Sequence, residues 1–362
     1  MPHNLLLTCI TVLTLIACSE KAQGQSDVTL PYWPVSLQTQ VLKIAKHFDG
    51  EFALYVKDIT TQHDYTFNAS TPMYLASAVK IPVMVAVYGQ VAQGEITLED
   101  KVTLTIEDLR DGSGDLKRLP PGTEISIDEL LTQMMAVSDN VATDVLLRYL
   151  EPQTVDDTLV HLGFLGFGPI TTLLDVRRLV FKHLDPRAIQ LTPLQVFELY
   201  EAPFESRAKK LATLLDIKQN SWTANDLNRA FDIYYRELKN SASMLAVGRL
   251  LEKIAKKEIF NDELNEHMLQ KMLACKTGEH RLRGLIPDSI KLAHKTGTQI
   301  RRMCDVGIMY LQTDKPIVVA MCAKDFLKSS AAEKTIALVG KAVYNVLSPY
   351  YEPEKITEPL RL

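Results

Sequence analysis

Three short groups of residues carry alcohols and amines at spacings that suit acyl transfer. The first is Ser77-Ala78-Val79-Lys80. A serine hydroxyl is a poor nucleophile at neutral pH and needs a base within hydrogen-bond reach. Residues three apart on a helix share a face, so the Lys80 amine can meet the Ser77 hydroxyl. Burial and nearby cations would pull the lysine pKa down until it serves as that base. Both flanks are apolar, with Met73, Tyr74 and Leu75 before and Ile81, Val83 and Met84 after. A lysine inside such a run needs a reason. A helix N-terminus also turns backbone N–H groups toward Ser77, where an oxyanion could be held.

The second group is Ser138-Asp139-Asn140. Its Ser138 hydroxyl could relay a proton between Lys80 and a leaving nitrogen. The Asn140 amide can donate to a substrate carbonyl and help hold Lys80, while Asp139 shapes the turn through backbone hydrogen bonds. The third is Lys295-Thr296-Gly297, followed by Thr298. Lys295 offers a cation for a substrate carboxylate or for tuning Ser138. Strand side chains alternate, so Thr296 would point away if Lys295 and Gly297 point toward the site. Gly297 would let a substrate backbone approach closely. Thr298 would add a hydroxyl for the carboxylate and an N–H for the oxyanion. A second copy, Lys276-Thr277-Gly278, follows a helical stretch and leads into charged Glu279-His280-Arg281 with no strand after it. It is set aside on that ground.

The elements that must position these groups can be read from periodicity. Residues 51–58 and 64–68 read as a hairpin, and residues 77–92 as a buried helix closed by Gly94. Pro82 falls in its early turns, where a missing N–H costs least. Residues 95–123 are loop-rich. Ser126 and Glu129 stand as cap and capping-box partner before an apolar helix, and another helix starts near Asn140. Residues 150–185 read as irregular. Residues 190–275 are helical in pattern, with Met244, Val247, Leu250, Leu251 and Ile254 on one face. Residues 290–297, 303–311 and 316–324 read as strands, and about 330–347 as a last helix. Strands at both ends with helices between them suggest one α+β domain assembled from the two termini.

Composition sets outer bounds. The chain has 362 residues, 46% hydrophobic and 23% charged, with a formal net charge of −4. That is ordinary globular composition, long enough for a sizeable core, and it argues against a nucleic-acid partner. Residues 5–17 form an apolar run too short to span a bilayer, which suits a signal-peptide core. It ends in Leu15-Ile16-Ala17-Cys18, similar to the lipobox of bacterial lipoproteins, so Cys18 would be lipidated and residues 19–34 would be a tether. Met1-Pro2-His3-Asn4 carries no Lys or Arg, which leaves an uncleaved anchor or a plain secretory signal as alternatives. Of the five cysteines, Cys304 and Cys322 sit in apolar strand-like runs and are expected as small buried thiols rather than a disulfide. No metal-ligand spacing is present.

Standing in this order, the three motifs resemble those of class A β-lactamases and penicillin-recognising serine hydrolases. The resemblance runs over about 40–150 and about 240–347. Met134-Met135-Ala136-Val137, Leu282-Arg283-Gly284-Leu285-Ile286-Pro287 and Asp305-Val306-Gly307 support it. It implies a five-stranded antiparallel sheet flanked by helices, an all-helical subdomain beside it, and the site between them. The sheet part would be about 35–90 and 288–350, and the helical part about 91–287. It further implies a Ser77 acyl-enzyme worked by Lys80 and Ser138. Asn140, Lys295, Gly297 and Thr298 would bind substrate, with no metal or organic cofactor. A periplasmic monomer acting on a small molecule follows, touching the membrane only through its lipid anchor.

Two departures bear on function. The span from Ser138 to Lys295 is roughly fifty residues longer than the family pattern, with the excess placed at about 186–240. Class A enzymes also carry a glutamate in an Arg-x-Glu-Pro-x-Leu-Asn loop that activates the deacylating water. That loop is expected near 165–185, where Leu173-Leu174-Asp175-Val176-Arg177-Arg178-Leu179-Val180 contains no such motif. Glu151-Pro152 comes too soon after Ser138, so Asp175 is the nearest candidate base. Three readings stay open: a β-lactamase-like hydrolase, a peptidoglycan D,D-peptidase or esterase/amidase, and a non-enzymatic envelope lipoprotein that binds through the same fold.

Overall fold

The computed structural model describes residues 32–218 and 222–351. The expected signal segment, Cys18 and nearly all of the tether lie outside the described residues. The first described element is helix α1 (Trp33–Lys46), and its first residues, Trp33 and Pro34, which were expected in a tether, are helical and buried. Strands β1 (Glu51–Asp58) and β2 (Asp64–Phe67) form the expected hairpin. Strand β3 (Pro72–Tyr74) leads into a 3-10 turn, Ala76–Val79, and then helix α2 (Lys80–Gln93). Gly94 closes α2 in the left-handed conformation at φ 75°, where a side chain would be strained.

A small ladder of β4 (Lys101–Thr103) and β5 (Glu124–Ser126) precedes helix α3 (Ile127–Ala136). Ser126 Oγ accepts the Glu129 N–H at 3.1 Å and so caps α3. Helices α4 (Asn140–Leu150), α5 (Pro152–His161) and α6 (Leu173–Lys182) follow. The last two occupy much of the stretch read as irregular. Each is 10 residues, nearly three turns, of mixed sequence whose amphipathic stripe is hard to see without its packing partner. Next come α7 (Pro193–Glu201), α8 (Phe204–Leu214), α9 (Ala224–Arg236), strand β6 (Ser241–Ser243), α10 (Met244–Ala255) and α11 (Asp262–Leu273). The chain then makes β7 (Lys291–Gln299), β8 (Arg302–Gln312), β9 (Lys315–Lys324) and α12 (Ser329–Leu347).

The main sheet is antiparallel in the order β2-β1-β9-β8-β7, so the first hairpin meets the last strands and β7 is an edge. Alternation sorts β9 into two cores. Ile317, Val319 and Met321 join Trp33, Leu37, Val41 and the apolar face of α12. Val318, Ala320 and Cys322 join α2, α3, α4 and the stripe of α10 that includes Leu250, Leu251 and Ile254. Both faces are covered, which is why these strands read as nearly unbroken apolar runs. Among the described residues no helix is long and apolar enough to cross a membrane.

A third core lies among the helices between α6 and α9. Residues of α6, α7, α8 and α9, among them Val180, Phe181, Leu199, Leu211 and Phe231, pack together with Tyr74 and Ala76. This core, which takes in α6 as well as the helices of 186–240, rests on the two residues that flank Leu75 just ahead of Ser77.

The expectation of free thiols at 304 and 322 is corrected. Cys304 and Cys322 are directly opposite on β8 and β9, with Cα atoms 4.0 Å apart, and are joined by a disulfide. The apolar setting that suggested thiols also places two facing sulfurs within bonding reach, a pairing that register alone reveals. The bond closes a segment with a sequence separation of 18. Replacing both cysteines by alanine is expected to cost about 3 kcal/mol, read as a lower denaturant midpoint with a somewhat larger m, since the uncrosslinked denatured chain exposes more surface.

Candidate active site

The site begins with a strained turn. Ala76 has φ 47° and Ser138 has φ 61°, left-handed values that cost a non-glycine residue about 1–3 kcal/mol and persist only where surroundings impose them. Ser77 follows the first of these in the 3-10 turn, and Lys80 opens α2. The sequence reading began the α-helix at residue 77. The observed 3-10 turn stacks side chains at i and i+3, which serves the Ser77–Lys80 spacing better.

Lys80 is fully buried and reaches across to the second motif. Its Nζ donates to Ser138 O at 2.6 Å, Ser138 Oγ at 3.1 Å, Asn140 Oδ1 at 2.9 Å and Asp139 O at 3.3 Å. Burial drives the Lys80 pKa well below its usual value, and the positive charge of Lys295 pushes the same way, as does Arg177. Asp139 and Asp144 oppose them. The Ser77 hydroxyl enters none of the side-chain hydrogen bonds among the described residues, so it is unengaged beside a set of filled acceptors.

The second motif is fixed by its aspartate, as expected. Asp139 Oδ1 accepts the Ala142 N–H at 2.9 Å and its Oδ2 the Leu116 N–H at 3.0 Å. Asn140 Nδ2 donates to Asp111 O at 2.7 Å, which orients its oxygen toward Lys80.

The third motif lies on β7, at the sheet edge. Lys295 is fully buried and donates to Thr296 O at 3.1 Å. Burial lowers its pKa to about 8, with the Cys275 and Asp305 charges resisting and Arg281 assisting. Thr296 turns away, its Oγ1 2.5 Å from Thr277 Oγ1. Gly297 serves a closer neighbour than a substrate. A Cβ there would overlap the Leu75 carbonyl oxygen and stand 3.0 Å from the Ala78 nitrogen, so glycine lets the nucleophile's own turn lie against the strand. Thr298 is exposed, and its Oγ1 accepts Arg281 Nη2 at 2.6 Å.

Arg281 escaped the sequence reading. It is 7% exposed and its Nη1 donates to Gly297 O and Cys304 O, both at 3.0 Å. The only local signal was its place just past the discarded Lys276-Thr277-Gly278, which is a loop, not a strand. Gly278 has φ 85°, and a Cβ on it would run into Thr296 Cγ2.

Arg177 is the second residue that the sequence reading missed. Its guanidinium makes a forked pair with Asp111, Nε–Oδ1 at 3.2 Å and Nη2–Oδ2 at 2.9 Å, and lies 4.3 Å over the Tyr200 ring. Arg207 also lies 4.3 Å from the same ring. Asp175, the expected deacylation base, occupies the first turn of α6. Thr172 Oγ1 donates to its Oδ2 at 2.7 Å and Arg178 Nη1 lies 3.5 Å from its Oδ1. Asp144 anchors the same helix by accepting the Leu173 and Leu174 N–H groups at 2.7 and 3.0 Å, and it also pairs with Arg110.

Known proteins share this architecture. The family model described as a beta-lactamase enzyme family matches residues 36–347. The chain is 21% identical to beta-lactamase VEB-1 of Pseudomonas aeruginosa over 280 residues, covering 75% of this chain and 77% of that protein. Among solved structures, TLA-1 extended spectrum beta-lactamase superposes with a TM-score of 0.67 at 21% identity, covering 88% of this chain and all of that one. The structure of PBP-A superposes with a TM-score of 0.66 at 18% identity, covering 87% of this chain and 97% of that one. At such identity the superpositions speak for the fold.

Proposed function

The chain belongs to the beta-lactamase enzyme family, and from that premise we propose that it is a class A type serine hydrolase that opens a β-lactam amide through an acyl-enzyme on Ser77 and releases the product slowly. The observation that carries this reading is the Lys80 amine, buried, depressed in pKa and shared between Ser138 Oγ at 3.1 Å and Asn140 Oδ1 at 2.9 Å. As a free amine Lys80 takes the Ser77 proton while Oγ attacks the amide carbon. The oxyanion is received by the backbone N–H groups of Ser77 and Thr298. When the C–N bond breaks, Ser138 gives its proton to the departing nitrogen and recovers one from Lys80, leaving an ester on Ser77 and the amine free again. Lys295, with Thr298 and Arg281, receives the substrate carboxylate.

Hydrolysis of that ester needs a base held on water. Asp175 is spent on Thr172 and Arg178, and the charged group of α6 that acts on Lys80 is the cation Arg177. The same facts favour a second reading, a penicillin-binding D,D-peptidase acting on peptidoglycan-like peptides. Export, with lipidation at Cys18, completes the proposal. The buried Cys304–Cys322 bond supports it, since such bonds persist in oxidising compartments.

A labelled penicillin should mark the protein once per chain, with the label stable on a gel and turnover of a chromogenic cephalosporin slow. Fast turnover would overthrow slow release. Equal labelling of wild type and Ser77→Ala would overthrow the acyl-enzyme itself.

A further inference from the structure

The face of the main sheet turned away from Ser77 carries a groove that the acylation steps leave unused. Helices α1 and α12 cover this face and share a core with Ile317, Val319 and Met321 of β9. They run antiparallel. The Phe48 ring, just past the end of α1, lies 6.4 Å from that of Phe326, just ahead of α12. Trp33, at the start of α1, shares its core with Val346 and Leu347 at the end of α12. Ala331, Thr335, Leu338, Ala342 and Asn345 of α12 line the seam between the two helices. They recur at alternating steps of four and three, the spacing of a face turned to a partner helix. Large apolar side chains would close such a seam. Alanine or threonine stands at 331, 335 and 342 instead, and a groove of about 740 Å³ is left against Gln40–Phe48.

Floor and rims differ in character. Ile44, Phe48 and Leu338 are partly exposed in the groove and give it an apolar floor. Exposed Lys43 and Lys341 flank it toward one end, exposed His47 and Lys334 toward the other. No Asp or Glu lines it. Helix α1 has no acid along its length, and the acid of α12, Glu333, lies 3.7 Å from Arg281 Nε. Elsewhere surface lysines find acids, as Lys253 does with Glu258 and Lys257 with Glu266, both at 2.7 Å. Among the described residues Lys43, Lys334 and Lys341 have no carboxylate within ion-pair distance.

An apolar cleft with a few convergent charged groups has the make-up of a small-molecule site. Charge complementarity selects the molecule: an apolar body for the floor and an anionic head for the lysines. A flat bilayer surface would meet the rims and leave the floor uncovered, whereas a single chain can enter. We propose that the α1–α12 groove binds a free single-chain lipid of the fatty-acid class, its chain on Ile44, Phe48 and Leu338 and its carboxylate between lysines of the two helices. The stretch from Ala331 to Asn345 is about 21 Å long at 1.5 Å per residue, room for an extended chain. The site lies across the sheet from Ser77 and does not depend on the acyl-enzyme.

Equilibrium dialysis of the full chain against labelled laurate, below its aggregation concentration, tests this. Laurate should bind. Competition by octanoate, decanoate and laurate should strengthen about two- to fourfold per methylene as the floor is covered. Monolauroylglycerol and dodecyltrimethylammonium, with the same chain under a neutral or cationic head, should compete about tenfold more weakly than laurate. The double variant Lys334→Glu/Lys341→Glu should lose about tenfold in laurate affinity at an unchanged thermal midpoint, since both side chains are exposed. Equal competition by all three head groups, or wild-type affinity in the double variant, would overturn the proposal. So would an absence of laurate binding, whether vesicles of anionic phospholipid bind instead, marking a membrane contact, or the chain dimerises through this face.

Discussion

Replacing Lys80 with methionine should slow acylation of Ser77 by about 10²–10⁴-fold while leaving the protein folded. The loss is large because, among the described residues, the amine is the group that joins the first motif to Ser138 and Asn140, so both activation of Ser77 and relay to the leaving nitrogen fail together. The fold should survive because two effects offset each other. Methionine leaves Asn140 Oδ1 without its donor, at about 1–3 kcal/mol, while Ser138 O keeps the Ser113 hydroxyl at 2.6 Å. It also removes a fully buried charge, and exchanging such a charge for an apolar side chain of similar volume is often neutral or stabilising. The measurement is paired: the second-order constant for labelled penicillin and the thermal midpoint of the same preparation. A slow variant that is also unfolded would not support the argument, and a folded variant that labels at the wild-type rate would refute it.

The second large effect is expected at Arg177. Arg177→Met strands Asp111, whose side chain is 8% exposed, and breaking a buried pair by removing one partner costs about 3–5 kcal/mol. The apparent Tm should drop by on the order of 10 °C. The pH profile adds a readout that mere loss of packing would not move. Arg177 helps to lower the Lys80 pKa, so its removal lets that pKa rise, and the rising limb of acylation, where Lys80 sheds its proton, should shift to higher pH. Arg177→Lys keeps the charge but not the planar fork. It should restore the limb while recovering only part of the lost stability. A limb that stays in place in Arg177→Met would confine this residue to a structural role.

How much of this could be read from the chain depends on the range of the interaction. Ser77, Lys80, Ser138, Asn140 and Lys295 were legible because their spacing and apolar flanks are local, and the Gly94 cap and the strands at both ends follow from local pattern too. The strand expected at the second Lys-Thr-Gly is there, since that copy lies within β7 while the first lies in a loop. What escaped was non-local. The disulfide needs the β8–β9 register. The partner of Gly297 is a carbonyl more than two hundred residues earlier, at Leu75. Arg177 looks like any surface arginine until Asp111 and Tyr200 are brought to it.

The nucleophile's turn has two landlords. One side of it belongs to the sheet, through Gly297, and the other to the helices that pack on Tyr74 and Ala76. The aim of the alcohol is therefore no steadier than the looser of these two bodies. A change deep among α7, α8 and α9, remote from every reacting atom, reaches the serine through only two intervening side chains.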